Sequence, residues 1–139
     1  MTPYEDRQDI NDVLVRYATG IDRRDWALFR TVFTEDCEID YGEIGTWTGA
    51  DAITEFMELS HSGAGHTLHR LTNQAISVDS DRATARTYVD GLIMAADNTS
   101  GVNAIGYYDD ELVRTANGWQ VSRRRFMSVR LVMVGEVKG

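Results

Sequence analysis

The chain has 139 residues, 42% of them hydrophobic and 26% charged, the size and composition of one globular domain (residues 1–139) able to bury a core. A net charge of −8 argues against nucleic acid as a partner, because that affinity comes from neutralised phosphates, and no apolar run is long enough to span a membrane. The lone cysteine, Cys37, cannot form an internal disulfide and "MTPYEDRQDI" is too polar for a signal peptide, so the expected compartment is the cytoplasm.

In "DRQDINDVLVRYATGIDRRD", apolar residues at Ile10, Val13, Leu14, Tyr17 and Ile21 mark one buried face of a first helix. Gly20 weakens that helix near its end, which predicts Asp22 in a fraying last turn or in the link beyond. Asp25 reads as the N-cap of a short helix in "WALFRTVF". "CEIDYGEIGTWTG" then gives one or two short strands broken by glycines. A third helix follows in "ADAITEFMELSHSG", with Ala50, Ile53, Phe56 and Met57 at helical spacing and Gly63 as the stop. The remainder changes character. "HTLHRLTNQAISV", "RATARTYVDGLIMAA", "GVNAIGYYDDELVR" and "WQVSRRRFMSVRLVMV" are rich in Thr, Val, Ile and Tyr, and the turn clusters "DSD", "DNTSG" and "TANG" separate them. They predict an antiparallel meander, so the fold class is α+β, with helices covering one face of a curved sheet and a pocket between the layers.

Strand alternation separates candidate faces. In "SRRRF", Arg124 must point opposite to Arg123 and Arg125, and it shares parity with Gln120, Ser122, Phe126 and Ser128. That mixed face suits a pocket lining or an interface, with Trp119 and Val121 on the other side as packing. By the same rule Asn73 falls with His69 and Leu71, whereas His66 and His69 face oppositely unless a bulge intervenes. No cysteine or glutamate completes a ligand set with the three histidines (His61, His66 and His69), so no metal is expected.

The order of elements, carried by "DINDVLVRYATGIDRRDWALFRTVFTEDCEIDY", "GADAITEF", "HTLHRLTNQAISVDSDRATARTYV" and "ELVRTANGWQVSRRR", resembles the SnoaL-like group of the nuclear-transport-factor-2-like cone fold. The resemblance spans nearly the whole chain. It is closest to a lyase branch containing scytalone dehydratase, bile-acid dehydratase and hexachlorocyclohexane dehydrochlorinase. That branch pairs an aspartate at the end of the first helix with a histidine at the start of the meander; the matching residues are Asp22 in "GIDRRD" and His69 in "HRLTN". Tyr17 keeps the bile-acid dehydratase spacing of five before the aspartate, and Arg124 matches an arginine on the last strand.

The resemblance implies a cofactor-free dehydratase-like or dehydrohalogenase-like enzyme acting on a small, apolar, cyclic and oxygenated molecule. A neutral imidazole is a competent base near pH 7, and a carboxylate on its other nitrogen fixes the tautomer and stabilises the imidazolium. His69 would take a C–H proton and Asp22 would orient it, while Arg124 and Tyr17 would stabilise the anion or leaving group. Tyr41, Trp47, His66, Asn73 and Phe126 are the candidates for substrate contact. Related lyases favour trimers and isomerase-like members dimers. "SVRLVMVGEVKG" is apolar enough for an interface strand, so a homo-oligomer is expected.

Three readings compete. A ketosteroid-isomerase-like site would use Tyr17 as oxyanion donor, Asp40 as base and Asp110 as protonated acid. A binding module or oligomeric partner would keep the pocket without turnover. Finally, Arg23 or Arg24 could capture Asp22, leaving it an ordinary helix-end carboxylate.

Overall fold

The computed structural model describes residues 2–135. Helix α1 spans Pro3–Asp22; Thr2 caps it by accepting from the Glu5 amide at 3.1 Å, and Pro3 opens it where the missing N–H costs nothing. Its buried stripe contains Ile10, Val13, Leu14, Tyr17, Ala18 and Ile21, as the spacing predicts. The helix does not fray at Gly20. A Cβ at that position would lie 2.8 Å from Phe29 Cα, so the glycine admits the close crossing of α2 (Trp26–Arg30). Asp25 caps α2 by accepting from the Leu28 amide at 3.0 Å.

Strands β1 (Phe33–Asp40) and β2 (Thr46–Thr48) flank a single 3-10 turn, and α3 (Ala50–His61) follows. The meander comprises β3 (Ala64–Asp79), β4 (Arg82–Ala95), β5 (Ser100–Thr115) and β6 (Gly118–Gly135). Residues 136–139 of the expected interface segment lie outside the described residues. The strand order is β2-β1-β6-β5-β4-β3, and the three helices pack on this curved, unclosed sheet. The sheet is mixed rather than wholly antiparallel, because β1 lies parallel to β6. β1 reaches the sheet from α2 rather than through a hairpin with β6, so nothing forces the two strands to run in opposite directions.

Bulges decide which side chains face the helices. In the β5–β6 pair, Glu111 lies opposite Arg123 but Leu112 lies opposite Val121, which leaves Ser122 as an extra residue. This resets the alternation. Trp119, Val121 and Arg124 are therefore all buried, at 3%, 0% and 1% exposure, with Phe126 packed against the same core. Strict alternation had separated Trp119 and Val121 from Arg124. A second bulge, between Thr72 and Ala75 of β3, holds Asn73 at φ 54° and exposes it.

Candidate active site

Asp22 is the last residue of α1, and β3 runs across that helix end. Its carboxylate accepts three hydrogen bonds there. His69 Nδ1 donates to Oδ1 at 2.7 Å, Thr67 Oγ1 donates to Oδ1 at 2.9 Å, and the His69 amide donates to Oδ2 at 2.9 Å. Burial of the carboxyl works to raise its pKa, but these hydrogen bonds outweigh it and hold Asp22 below its ordinary value. An ionised carboxylate at Nδ1 places the neutral imidazole proton on that nitrogen, so Nε2 carries the free lone pair.

The helix-end arginines do not capture Asp22. Arg23 is exposed, and Arg24, at φ 56°, folds back onto β3. Arg24 Nη1 donates to Ile21 O and to Thr67 Oγ1, both at 2.8 Å, and Nη2 donates to Gly65 O at 2.6 Å. Arg24 thus steadies the threonine that in turn donates to Asp22. No break in α1 is needed to bring Tyr17 and Asp22 to one histidine, since the Tyr17 ring meets His69 edge-on at 6.4 Å.

His69 opens onto a cavity of about 250 Å³ between α3 and the sheet, a volume suited to a small ligand. Tyr17, Tyr41, Phe56, Tyr108 and Phe126 form its aromatic walls, and His61 stands on the α3 side. Gly91 lies beneath the imidazole; a Cβ there would be 3.8 Å from His69 Nε2.

Three phenols adjoin in that wall. The Tyr17 and Tyr41 hydroxyls are 2.6 Å apart, and Tyr108 donates to Tyr17 at 3.4 Å. Burial raises the pKa of all three, with the charge of Arg124 opposing it, so they remain neutral donors. A chain of hydroxyls also polarises along its length, which strengthens the terminal donor.

Arg124 lies behind this wall rather than in it. Its Nε and Nη2 donate to the Asp110 carboxylate at 2.7 and 2.9 Å, and its guanidinium stacks on the rings of Tyr17 and Tyr108 at 4.2 and 3.9 Å. Burial pushes the Asp110 carboxyl above its ordinary value while Arg124 pulls against it. The expectation that Arg124 touches the ligand is therefore corrected: Asp110 and two aromatic faces hold it one layer back.

Of the other expected contacts, Tyr41 and Phe126 line the cavity. Trp47 does not, because it packs on Phe56 at 4.1 Å and on Tyr41 at 5.8 Å and so braces two residues that do. His66 is exposed, and its amide donates to Asn98 Oδ1 at 2.7 Å, since β3 turns it away from the side carrying His69. Asn73 is placed outside by its bulge. The isomerase-like pair is not assembled either. Asp40 sits at the outer face, where it accepts from the Gly42 amide at 2.8 Å, and Asp110 is occupied by Arg124. A larger concavity of about 770 Å³ lies on that outer face, lined by charges such as Glu38, Arg86, Glu111 and Arg123, away from His69.

Sequence reasoning missed His61, Tyr108 and Thr67. Each left a signal: His61 extends the α3 stripe four residues beyond Met57, Tyr108 shares parity with Asp110, and Thr67 shares parity with His69. Among the described residues, no group of three or more His, Cys, Asp or Glu is arranged to hold a metal ion, and no helix is long and apolar enough to cross a membrane.

The uncharacterized protein Rv2910c of Mycobacterium tuberculosis (strain ATCC 25618 / H37Rv) is 32% identical over 121 residues, which cover 86% of this chain and 82% of that one. A crystal structure from Novosphingobium aromaticivorans, of a protein provisionally named an aromatic ring hydroxylase, superposes with a TM-score of 0.87 at 32% identity and covers 96% of each chain. Hexachlorocyclohexane dehydrochlorinase type 2 shares the fold with a TM-score of 0.84 at 19% identity, covering 94% of this chain and 90% of that one. The sequence profile of the SnoaL-like domain matches residues 2–125, and the chain belongs to that family.

Proposed function

We propose that this protein is a cofactor-independent lyase in which Asp22 and His69 remove a C–H proton from a small cyclic substrate. One observation carries the reading: His69 is held by Asp22 at 2.7 Å through Nδ1, and its ring lines an aromatic cavity. In the proposed step Nε2 takes the proton, the C–H electrons form a C=C bond, and hydroxide or halide leaves the adjacent carbon. Asp22 stabilises the imidazolium. The tyrosine hydroxyls donate to the departing oxygen or to an adjacent enolate, and a leaving hydroxide recovers a proton from the imidazolium to depart as water. Arg124 acts through the faces of Tyr17 and Tyr108, whose acidity its charge favours, rather than by contact.

The aromatic walls suit a flat ring, and the name of the 32%-identical structure from Novosphingobium aromaticivorans points to aromatic ligands as well. Return of the proton to a different carbon would make the same dyad an isomerase, and the products would tell these apart. Self-association belongs to the same proposal: Val129, Leu131 and Met133 near the end of β6 are 69%, 64% and 69% exposed, an apolar edge suited to a second copy. Sedimentation equilibrium should give a trimer, and a monomer at all concentrations would contradict that part. The lone buried cysteine is compatible with the cytoplasm.

The test is a screen of cyclic β-hydroxyketones and halides for elimination, with His69→Ala, Asp22→Asn and Asp40→Asn in parallel. Turnover should fail in the first two variants and persist in the third. Activity that depends on Asp40 alone, or ligand binding without turnover, would overturn the lyase reading.

A further inference from the structure

His61 closes α3 and faces the cavity beside His69, with the two rings 6.2 Å apart. Its Nδ1 lies 2.8 Å from the Met57 carbonyl oxygen, which can only accept. The proton is therefore on Nδ1. Ser60 Oγ, 3.1 Å from the same nitrogen and from Met57 O, does not change this, because a bare Nδ1 would face the carbonyl lone pairs. Nε2 is left as a pure acceptor. It is buried and has no hydrogen-bond partner among the described residues, in a residue only 7% exposed.

Nearby groups do not relieve it. Asp22 offers only acceptor oxygens, and Arg24 directs three N–H groups to Ile21, Thr67 and Gly65 while none of its donors reaches His61 Nε2. Burial lowers the His61 pKa, so the ring stays neutral rather than satisfying Nε2 with a proton. Buried acceptors without partners are uncommon, and one that lines a ligand-sized cavity marks where a ligand donor belongs. The polar inventory of the cavity is then complementary. Phenols offer donors on one side, His69 offers a base, and His61 offers a second lone pair that no C–H can satisfy.

We infer that His61 Nε2 accepts a hydrogen bond from a hydroxyl group of the substrate, selecting hydroxylated rings over rings that lack the hydroxyl. This rests on the proposed cavity, but it requires binding only and not elimination. His61 acts here as a specificity-determining residue, while His69 alone removes a proton.

The experiment uses the full chain and two probes of matched size, 2-naphthol and 2-methylnaphthalene, in which a methyl replaces the hydroxyl. Titration should show 2-naphthol bound at least about tenfold more tightly, as expected for a buried polar group left unpaired by the methyl analogue. In His61→Asn the side-chain amide can still donate toward Met57 O, but the acceptor at the Nε2 position is gone. The preference should collapse to about unity in that variant and return in part with His61→Gln, whose longer amide reaches the ε position. Nitrogen-15 NMR of the unsubstituted protein gives an independent reading should either variant fold poorly. The His61 Nε2 resonance should move upfield with 2-naphthol and stay in place with 2-methylnaphthalene.

Equal affinities, a shift at His69 Nε2 alone, or failure of both probes to bind at millimolar concentration would overturn the inference. Because no turnover is read, absence of elimination activity would defeat the lyase proposal and leave this result standing.

Discussion

Replacing Arg124 with methionine tests whether the guanidinium is a buried partner of Asp110 or a group presented to ligand. Arg124 is 1% exposed and Asp110 3%, and two hydrogen bonds of 2.7 and 2.9 Å join them. Arg124→Met strands a carboxylate in a site where burial already disfavours its charge. Breaking such a pair costs about 3–5 kcal/mol, a large share of the roughly 5–15 kcal/mol that holds a domain of this size folded. The variant also has a steeper pH dependence. Burial already holds the folded-state pKa of Asp110 above its ordinary value against the pull of Arg124, and removing that charge raises it further, so protonation favours the folded state at low pH and that support is lost as pH rises through the folded pKa. Urea unfolding followed by tryptophan fluorescence should therefore show Arg124→Met more stable at pH 5 than at pH 8. Adding Asp110→Leu should restore most of the loss, since apolar replacement of a buried pair is commonly neutral or stabilising. A single variant costing under about 1 kcal/mol, or a double variant no better than the single, would refute the buried-pair account.

Gly20→Ala should destabilise by about 1–3 kcal/mol in the same assay, because the added Cβ would meet Phe29 backbone at 2.8 Å; the helix-propensity gain of about 1 kcal/mol does not offset that overlap. Asp22→Asn should lower elimination rates by about 10⁴-fold through loss of the imidazole's orientation and of the charge opposite the imidazolium. It should also change acid stability. The folded Asp22 pKa is depressed, so its stabilisation is present above the ordinary carboxylate pKa and lost as pH falls through the folded value; the unfolding difference between wild type and variant should shrink from pH 6 toward pH 3. Tyr41→Phe, which deletes the 2.6 Å partner of Tyr17, should lower kcat by about 10²-fold while KM changes little, measured with any substrate from the elimination screen.

Much of the architecture could be read from residue types alone. The stripe from Ile10 to Ile21 specifies α1, the Asp25 side chain caps α2 as its spacing implies, and four β-rich segments between turn clusters become β3–β6. Asp22, His69, Tyr17, Tyr41 and Phe126 converge on one small volume. What escaped depends on single-residue register. One extra residue at Ser122 returns Trp119 and Val121 to the face of Arg124, and another extra residue expels Asn73; alternation counted along a chain cannot register an insertion that only the partner strand defines. Gly20 looked like a helix breaker because propensity ignores the neighbour, whereas Phe29 supplies the reason for a missing side chain. The choice of Asp22 between His69 and the arginines was equally tertiary. It turns on the left-handed backbone of Arg24, which sends that side chain to Thr67 and Gly65 instead.

The most direct test of the central claim, that His69 is a base acting inside this cavity, needs no knowledge of the natural substrate. A cyclic ketone such as 1-tetralone, incubated with the protein in D₂O, should take up deuterium at its α-carbon, followed by proton NMR. The account predicts uptake above the buffer rate with the wild-type protein and a loss of about 10²–10⁴-fold in folded His69→Ala. Uptake at the same rate in both proteins would contradict it.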